Sequence, residues 1–264
     1  MSGLSKRGIS GIIYVTIFIA TILFSEYAYI ALISIFGILC IWEFSKMLHF
    51  KNFISYIIFG LSIFLFLKRP KSYAIIVILL LTLASSIYLI YQLYAKKEIT
   101  YRDDRSKSGM ITRYLIFPFS FLVLLPFYDQ AYYPYLILYI LILVWINDSF
   151  AFLVGKNFGK RKLFESVSPK KTIEGFVGGF IFSLIAGYVI SNYATIFTPL
   201  NWMIIASMVS VLGTIGDLVE SKFKRQATIK DSGNIMPGHG GILDRLDSLL
   251  FVAPFVYLYI NFII

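Results

Sequence analysis

The residues best suited to chemistry form two acidic clusters near the C-terminus. Asp217, Glu220, Ser221 and Lys224 follow one another at spacings that put all four on one face of a helix. Asp244, Asp247 and Ser248 repeat the pattern a short way downstream, and a third carboxylate, Asp148, stands inside the apolar run VWINDSFAFLVG. Carboxylates brought to one depth from different helices repel unless cations lie between them. Hard oxygen ligands of this kind suit Mg²⁺, above all when phosphates complete its coordination. A competing reading makes them plain ion pairs, with Arg225 and Arg245 as the neutralising partners.

Basic and glycine-rich loops surround the acids. Lys156, Lys160, Arg161, Lys162, Lys170 and Lys171 share one loop with Gly155 and Gly159. That loop ends in Ser168-Pro-Lys170-Lys171-Thr172, just before an apolar run. Hydroxyls, lysines and free N–H groups at a helix start make a phosphate cradle, although the Gly-Lys-[Ser/Thr] of a P-loop is absent. Between the two acidic clusters lie Lys230-Asp231 and His239-Gly240-Gly241. These glycines leave the backbone bare before the next helix, whose unpaired N–H groups and positive dipole end are expected to face an anion. His239 is read as substrate-facing, with no proton-transfer role. Asp103-Asp104 has no partner motif and reads as surface charge.

The elements that must position these groups are membrane helices. Of the 264 residues, 58% are hydrophobic and only 14% charged, against roughly 25% charged in soluble domains. Nine candidate spans emerge, at about 9–25, 27–44, 53–67, 72–94, 111–127, 133–154, 174–192, 201–223 and 242–262, each near the roughly 20 residues a bilayer requires. The first has no small-x-small cleavage site and is expected to be a retained helix. With the N-terminus cytoplasmic, all of the 24 Lys and Arg except Lys68, Arg69 and Lys71 fall inside. The expected fold is therefore all-α, a polytopic integral membrane protein with its C-terminus outside and both acidic clusters at the cytoplasmic boundary. Positive-inside loops also account for the net charge of +10, so nucleic acid is not expected as a partner. Cys40 is the only cysteine, which excludes an intramolecular disulfide.

Twelve of the 18 glycines lie at or beyond Gly155, where small residues let helices and ligands approach closely. Within one continuous membrane domain, 131–264 reads as the catalytic region and 1–130 as scaffold helices. Membrane-level carboxylates, polyphosphate-binding cations and greasy walls together suit phosphoryl or nucleotidyl transfer onto a lipid phosphate.

The motifs also resemble a known family. Ser221-Lys-Phe-Lys-Arg225, Lys230-Asp231, His239-Gly-Gly241 and Asp244-Arg-Leu-Asp247 are similar to the C-terminal pattern of phosphatidate cytidylyltransferases. Upstream, Asp148-Ser-x-Ala-Phe, Gly155-Lys-x-Phe-Gly-Lys160 and Ser168-Pro-Lys-Lys-Thr-x-Glu-Gly175 resemble other segments of that family. Two positions depart from it: Met236 stands in place of Leu, Ile or Phe, and Asn147 in place of a small residue. The resemblance implies that CTP and phosphatidic acid give CDP-diacylglycerol and pyrophosphate at a multi-pass protein of the cell membrane. It also implies Mg²⁺, room for a second metal ion, and a homodimer. Asp217 and Asp244 would then be metal ligands, with Asp148 and Asp247 close by. Lys170, Lys171, Lys224, Arg225 and Arg245 would hold phosphates, and Ser168, Thr172, Ser221 and the Gly240-Gly241 backbone would shape the pocket. The rival readings are a cytidylyltransferase for another lipid phosphate, an ion-coupled transporter, whose acids belong nearer mid-membrane in repeated halves, and a basic lipid-binding scaffold.

Overall fold

Backbone groups that enter lipid must find their hydrogen bonds within their own segment, and this chain is helical almost throughout. The computed structural model describes every residue except Met1, Ser2, Asn52, Lys71, Lys96, Gln130, Pro237 and His239, and only the backbone of residues 3–7 and 9. The helices are α1 (Gly3–Phe24), α2 (Glu26–Met47), α3 (Ile54–Lys68), α4 (Tyr73–Tyr94), α5 (Asp104–Ile111), α6 (Phe117–Leu124), α7 (Pro134–Phe158), α8 (Ile173–Ser191), α9 (Pro199–Gln226) and α10 (Leu243–Leu258). Two short antiparallel hairpins interrupt them, β1 (Phe127–Tyr128) with β2 (Ala131–Tyr132), and β3 (Lys162–Phe164) with β4 (Ser168–Thr172).

Among the described residues six helical stretches are long and apolar enough to cross a membrane. Of the nine expected spans, those in α1 and α3 are shorter apolar helices. The expected span at 111–127 is a composite of α5, a π-helical turn over Thr112–Ile116, and α6. Pro118 accounts for the wide turn. It lacks an N–H, and its ring would strike the carbonyl of residue 114 in a regular helix. The helix also starts earlier than expected, in the polar stretch at Asp104. There the backbone N–H of Asp103 donates to Ser106 Oγ at 3.2 Å, a local cap that hydropathy cannot register.

The C-terminal bundle orders the rest. α8 packs against both α7 and α9, and α9 against α10, while α6 lies among α2, α3, α4 and α10. α9 starts where Thr198 Oγ1 accepts from the Asn201 N–H at 3.3 Å, with Pro199 in the first turn. Its 28 residues extend about 42 Å, more than the hydrocarbon core requires, so its charged last turns emerge at one membrane face. Phe223 fixes that end by packing edge-to-face on Phe44 of α2 and at a tilt on Tyr114, with ring centroids 5.0 and 4.9 Å away. Exposed Ile12, Leu61, Leu80 and Ile185 cover the perimeter, as a lipid-facing surface requires.

Gly216 permits the closest approach of α9 and α10. A Cβ there would lie 2.6 Å from Phe251 Cβ and 2.9 Å from the Asp247 carbonyl oxygen. Gly216→Val is therefore expected to force the two helices apart, at a cost of about 1–3 kcal/mol. A lowered melting midpoint in detergent, with reduced activity, is the expected measurement.

Candidate active site

Asp148 comes from α7, Asp217 from α9, and Asp244 and Asp247 from α10. All four line one cavity of about 840 Å³, within the range of small-molecule sites. Lys156 of α7, Lys162 of β3, Lys170, Lys171 and Thr172 of the β4 end, Lys224 of α9, Asp231 of the following loop, and Arg245 of α10 also line it. Aromatic and aliphatic side chains of α1 and α7 also line it, among them Tyr14, Val15, Leu141, Trp145 and Phe152.

Lys171 and Lys224 form ion pairs with these acids. Lys171 Nζ lies 2.8 Å from Asp217 Oδ2, both side chains being partly exposed, and Ser221 Oγ donates to Asp217 Oδ1 at 3.2 Å. Lys224 is far more enclosed. It pairs with Glu220 one turn back on α9 and, at 2.6 Å, with Asp244 Oδ1 on α10. The other oxygen of Asp244 accepts from the Ser232 N–H at 2.9 Å, Ser232 Oγ at 2.9 Å and the Gly241 N–H at 2.8 Å. Asp247 Oδ1 accepts from the Ser248 N–H at 2.7 Å. Asp148 Oδ1 accepts from Asn147 Nδ2 at 3.2 Å, and Asn147 Oδ1 in turn accepts from Ser210 Oγ at 2.6 Å. Asn147, noted above only as a departure, thus orients the aspartate beside it.

Several expected residues lie elsewhere. Arg225 is exposed, and its guanidinium donates to the carbonyls of Val167 and Ile229 at 3.3 and 3.2 Å, tying the β3–β4 hairpin to the loop after α9. Ser168 pairs with Phe164 in the hairpin, Lys230 is exposed, and neither lines the cavity. His239 lies outside the described residues. Thr172 reaches the cavity wall, but its Oγ1 caps α8 by accepting from the Gly175 N–H at 3.1 Å. The phosphate cradle expected of the SPKKT loop is in fact a β-strand, and its two lysines are what it offers the cavity.

One expectation is overturned. Three N–H groups at the start of α10 are not free for a ligand. Gly241 N–H donates to Asp244, while Ile242 and Leu243 N–H donate to Glu43 of α2 at 3.0 and 2.9 Å. An internal carboxylate fills the place that the bare backbone was expected to keep for an anion. Glu43 is therefore a site-region residue that the motif reading missed. The available signal was a lone carboxylate near the end of a largely apolar helix.

Asp148, Asp217 and Asp247 make a hard-oxygen donor set of the kind a divalent cation takes. Among the described residues no three His, Cys, Asp or Glu side chains stand close enough to hold an ion alone. A divalent cation held here would have to complete its coordination with water or phosphate oxygens. Asp244 suits that role less well, because its pair with Lys224 is enclosed and its other oxygen already accepts three hydrogen bonds.

The helices and the charged, half-greasy cavity define a multi-pass membrane enzyme that handles an anion beside lipid. The profile of the cytidylyltransferase family matches residues 5–263, and the chain belongs to that family. A phosphatidate cytidylyltransferase of Bacillus subtilis (strain 168) is 33% identical over 264 residues, 97% of each chain. Phosphatidate cytidylyltransferases of Staphylococcus saprophyticus and Staphylococcus haemolyticus are 50% and 49% identical over 120 residues, 45% of this chain and 46% of theirs. Enzymes of this family use a divalent metal. Membership sets the transporter and scaffold readings aside.

Lys224→Met would leave Glu220 and Asp244 charged, enclosed and unpaired, so a loss of about 3–5 kcal/mol is expected. Adding Glu220→Gln should restore part of it. Melting of the two variants in detergent provides the check.

Proposed function

We propose that the chain transfers CMP from CTP to phosphatidic acid, releasing pyrophosphate and leaving CDP-diacylglycerol in the membrane. The observation that carries this reading is the cavity itself, in which carboxylates from three helices and six cations meet apolar side chains. The relatives named phosphatidate cytidylyltransferase support the substrate pair.

An oxygen of the lipid phosphate attacks the α-phosphorus of CTP. The new P–O bond forms as the α–β anhydride bond breaks, and the electron pair leaves with pyrophosphate. Little covalent work falls to the protein in such a transfer, so positioning and charge stabilisation dominate. Lys170, Lys171 and Arg245 bind phosphate oxygens, and Lys224 faces the same space from its place between Glu220 and Asp244. When phosphate draws Lys171 away, Asp217 gains a vacant oxygen. A divalent cation, Mg²⁺ by this donor chemistry, would be held by Asp217 with Asp148 and Asp247, and would supply neutralisation of the phosphate charge. The wall formed by Trp145, Leu141 and Phe152 accepts the acyl chains, keeping the lipid phosphate at the level of the acids. The basic loops support a site at the cytoplasmic face of the cell membrane. A homodimer is carried over from the family resemblance alone, and region 1–130 is read as support for the catalytic region 131–264.

Purified protein with labelled CTP, Mg²⁺ and phosphatidic acid in detergent is expected to form labelled CDP-lipid, and chelation of the metal to stop it. Asp217→Asn and Asp148→Asn should each lower the rate by about 100-fold or more, the scale of losing a preorganised charge. Product of undiminished yield from Asp217→Asn would refute the site. Diacyl and ether-linked lipid phosphates offered side by side identify the acceptor.

A further inference from the structure

Glu43 is fully buried, at 0% exposure, near the end of α2, and the transfer chemistry makes no use of it. Its carboxylate reaches across to a segment about 200 residues later. Oε1 accepts from the Ile242 N–H, and Oε2 accepts from the Leu243 N–H and, at 3.3 Å, from Ser232 Oγ. The single Ser232 hydroxyl thus lies between two carboxylates, with Asp244 Oδ2 at 2.9 Å on its other side. The loop is shaped around this group. A Cβ on Gly233 would overlap Glu43 Oε1, and one on Gly241 would stand 2.6 Å from Oε2. The neighbouring Phe44 packs on Phe223, the residue before Lys224, so the same turn of α2 grips both acidic helices.

We propose that Glu43 is a positioning residue for the transfer reaction, acting through Ser232 and the first turn of α10 to set Asp244, and through Asp244 to hold Lys224 in the cavity. Three features support this over simple packing. Among the described residues the carboxylate binds only groups of the segment 232–243, two of its three donors are the amides of the two residues before Asp244, and Ser232 links it directly to Asp244. A charge buried at this depth is costly to keep, and an apolar residue of the same volume would fill the space without fixing the loop. The inference rests on the reading of the cavity as the active site.

The test uses the full-length enzyme in detergent, with kcat and KM for CTP measured beside the melting midpoint. Glu43→Gln keeps the volume but replaces an acceptor oxygen with an N–H₂ group facing donors. It is expected to lower kcat by about 10- to 100-fold, the scale of a small misplacement of reacting groups, with KM for CTP changed by less than about 3-fold. Ser232→Ala should lower kcat in the same manner, and the double variant should lose less than the product of the two single effects, as coupled residues do. Cys40→Ala, one turn earlier in the same buried helix, should keep the wild-type kcat. The proposal is overturned if Glu43→Gln retains wild-type kcat per folded molecule. Independent multiplication of the two effects, or an equal loss in Cys40→Ala, overturns it as well. Asp217→Asn run in parallel separates the two levels. Full activity there would sink the reading of the cavity, whereas its loss beside an active Glu43→Gln would sink only the role of Glu43.

Discussion

Lys224 between Glu220 and Asp244 is the interaction on which the rest of this protein depends. It joins α9 to α10 at the depth where both helices leave the membrane, and it does so with enclosed charge. Removing one member of such a set strands the others, so the helices cannot separate there without exposing an uncompensated ion to a poorly solvating environment. The closeness of the pair at Gly216 follows the same axis, because only a residue without a Cβ lets α10 lie near enough for Asp244 to meet Lys224.

That constraint explains how the cavity is partitioned. Asp244 gives both its oxygens to internal partners and acts as an anchor. Asp148, Asp217 and Asp247 each accept a weaker or more exposed set of contacts. Asp217 in particular is held by Lys171 through a pair that water reaches, and such pairs contribute little to stability. An incoming phosphate can therefore displace it cheaply, whereas it cannot displace Lys224 from Glu220 and Asp244. One fold thus contains a fixed ion cluster and an exchangeable one a single helical turn apart.

The α2 helix extends the same logic to the N-terminal half. The N-terminal and C-terminal halves of the chain meet where Glu43 caps α10 and Phe44 packs edge-to-face on Phe223. The greasy helices that surround the C-terminal bundle are not only a lipid-facing shell, since one of them supplies the hydrogen-bond acceptors for the backbone of the helix that carries Asp244 and Asp247.

Helical spans, the acidic faces of 217–224 and 244–248, and the basic loops were legible in the sequence, because hydropathy and helical spacing are local properties. The same locality made the SPKKT segment look like a loop, when pairing with residues 162–164 makes it a strand. It also made 104–110 look unstructured, although a cap at Asp103 starts a helix there. The sequence by itself determined that acids, cations and apolar walls exist at one membrane face, and it placed the chain among the cytidylyltransferases through its motifs. Only the tertiary structure decided which charges cancel. The neutralising partners are Lys171 and Lys224, not Arg225, and the α10 amides are closed by Glu43. Ion pairs and caps between residues far apart in the chain depend on where helices cross, and no periodicity records that.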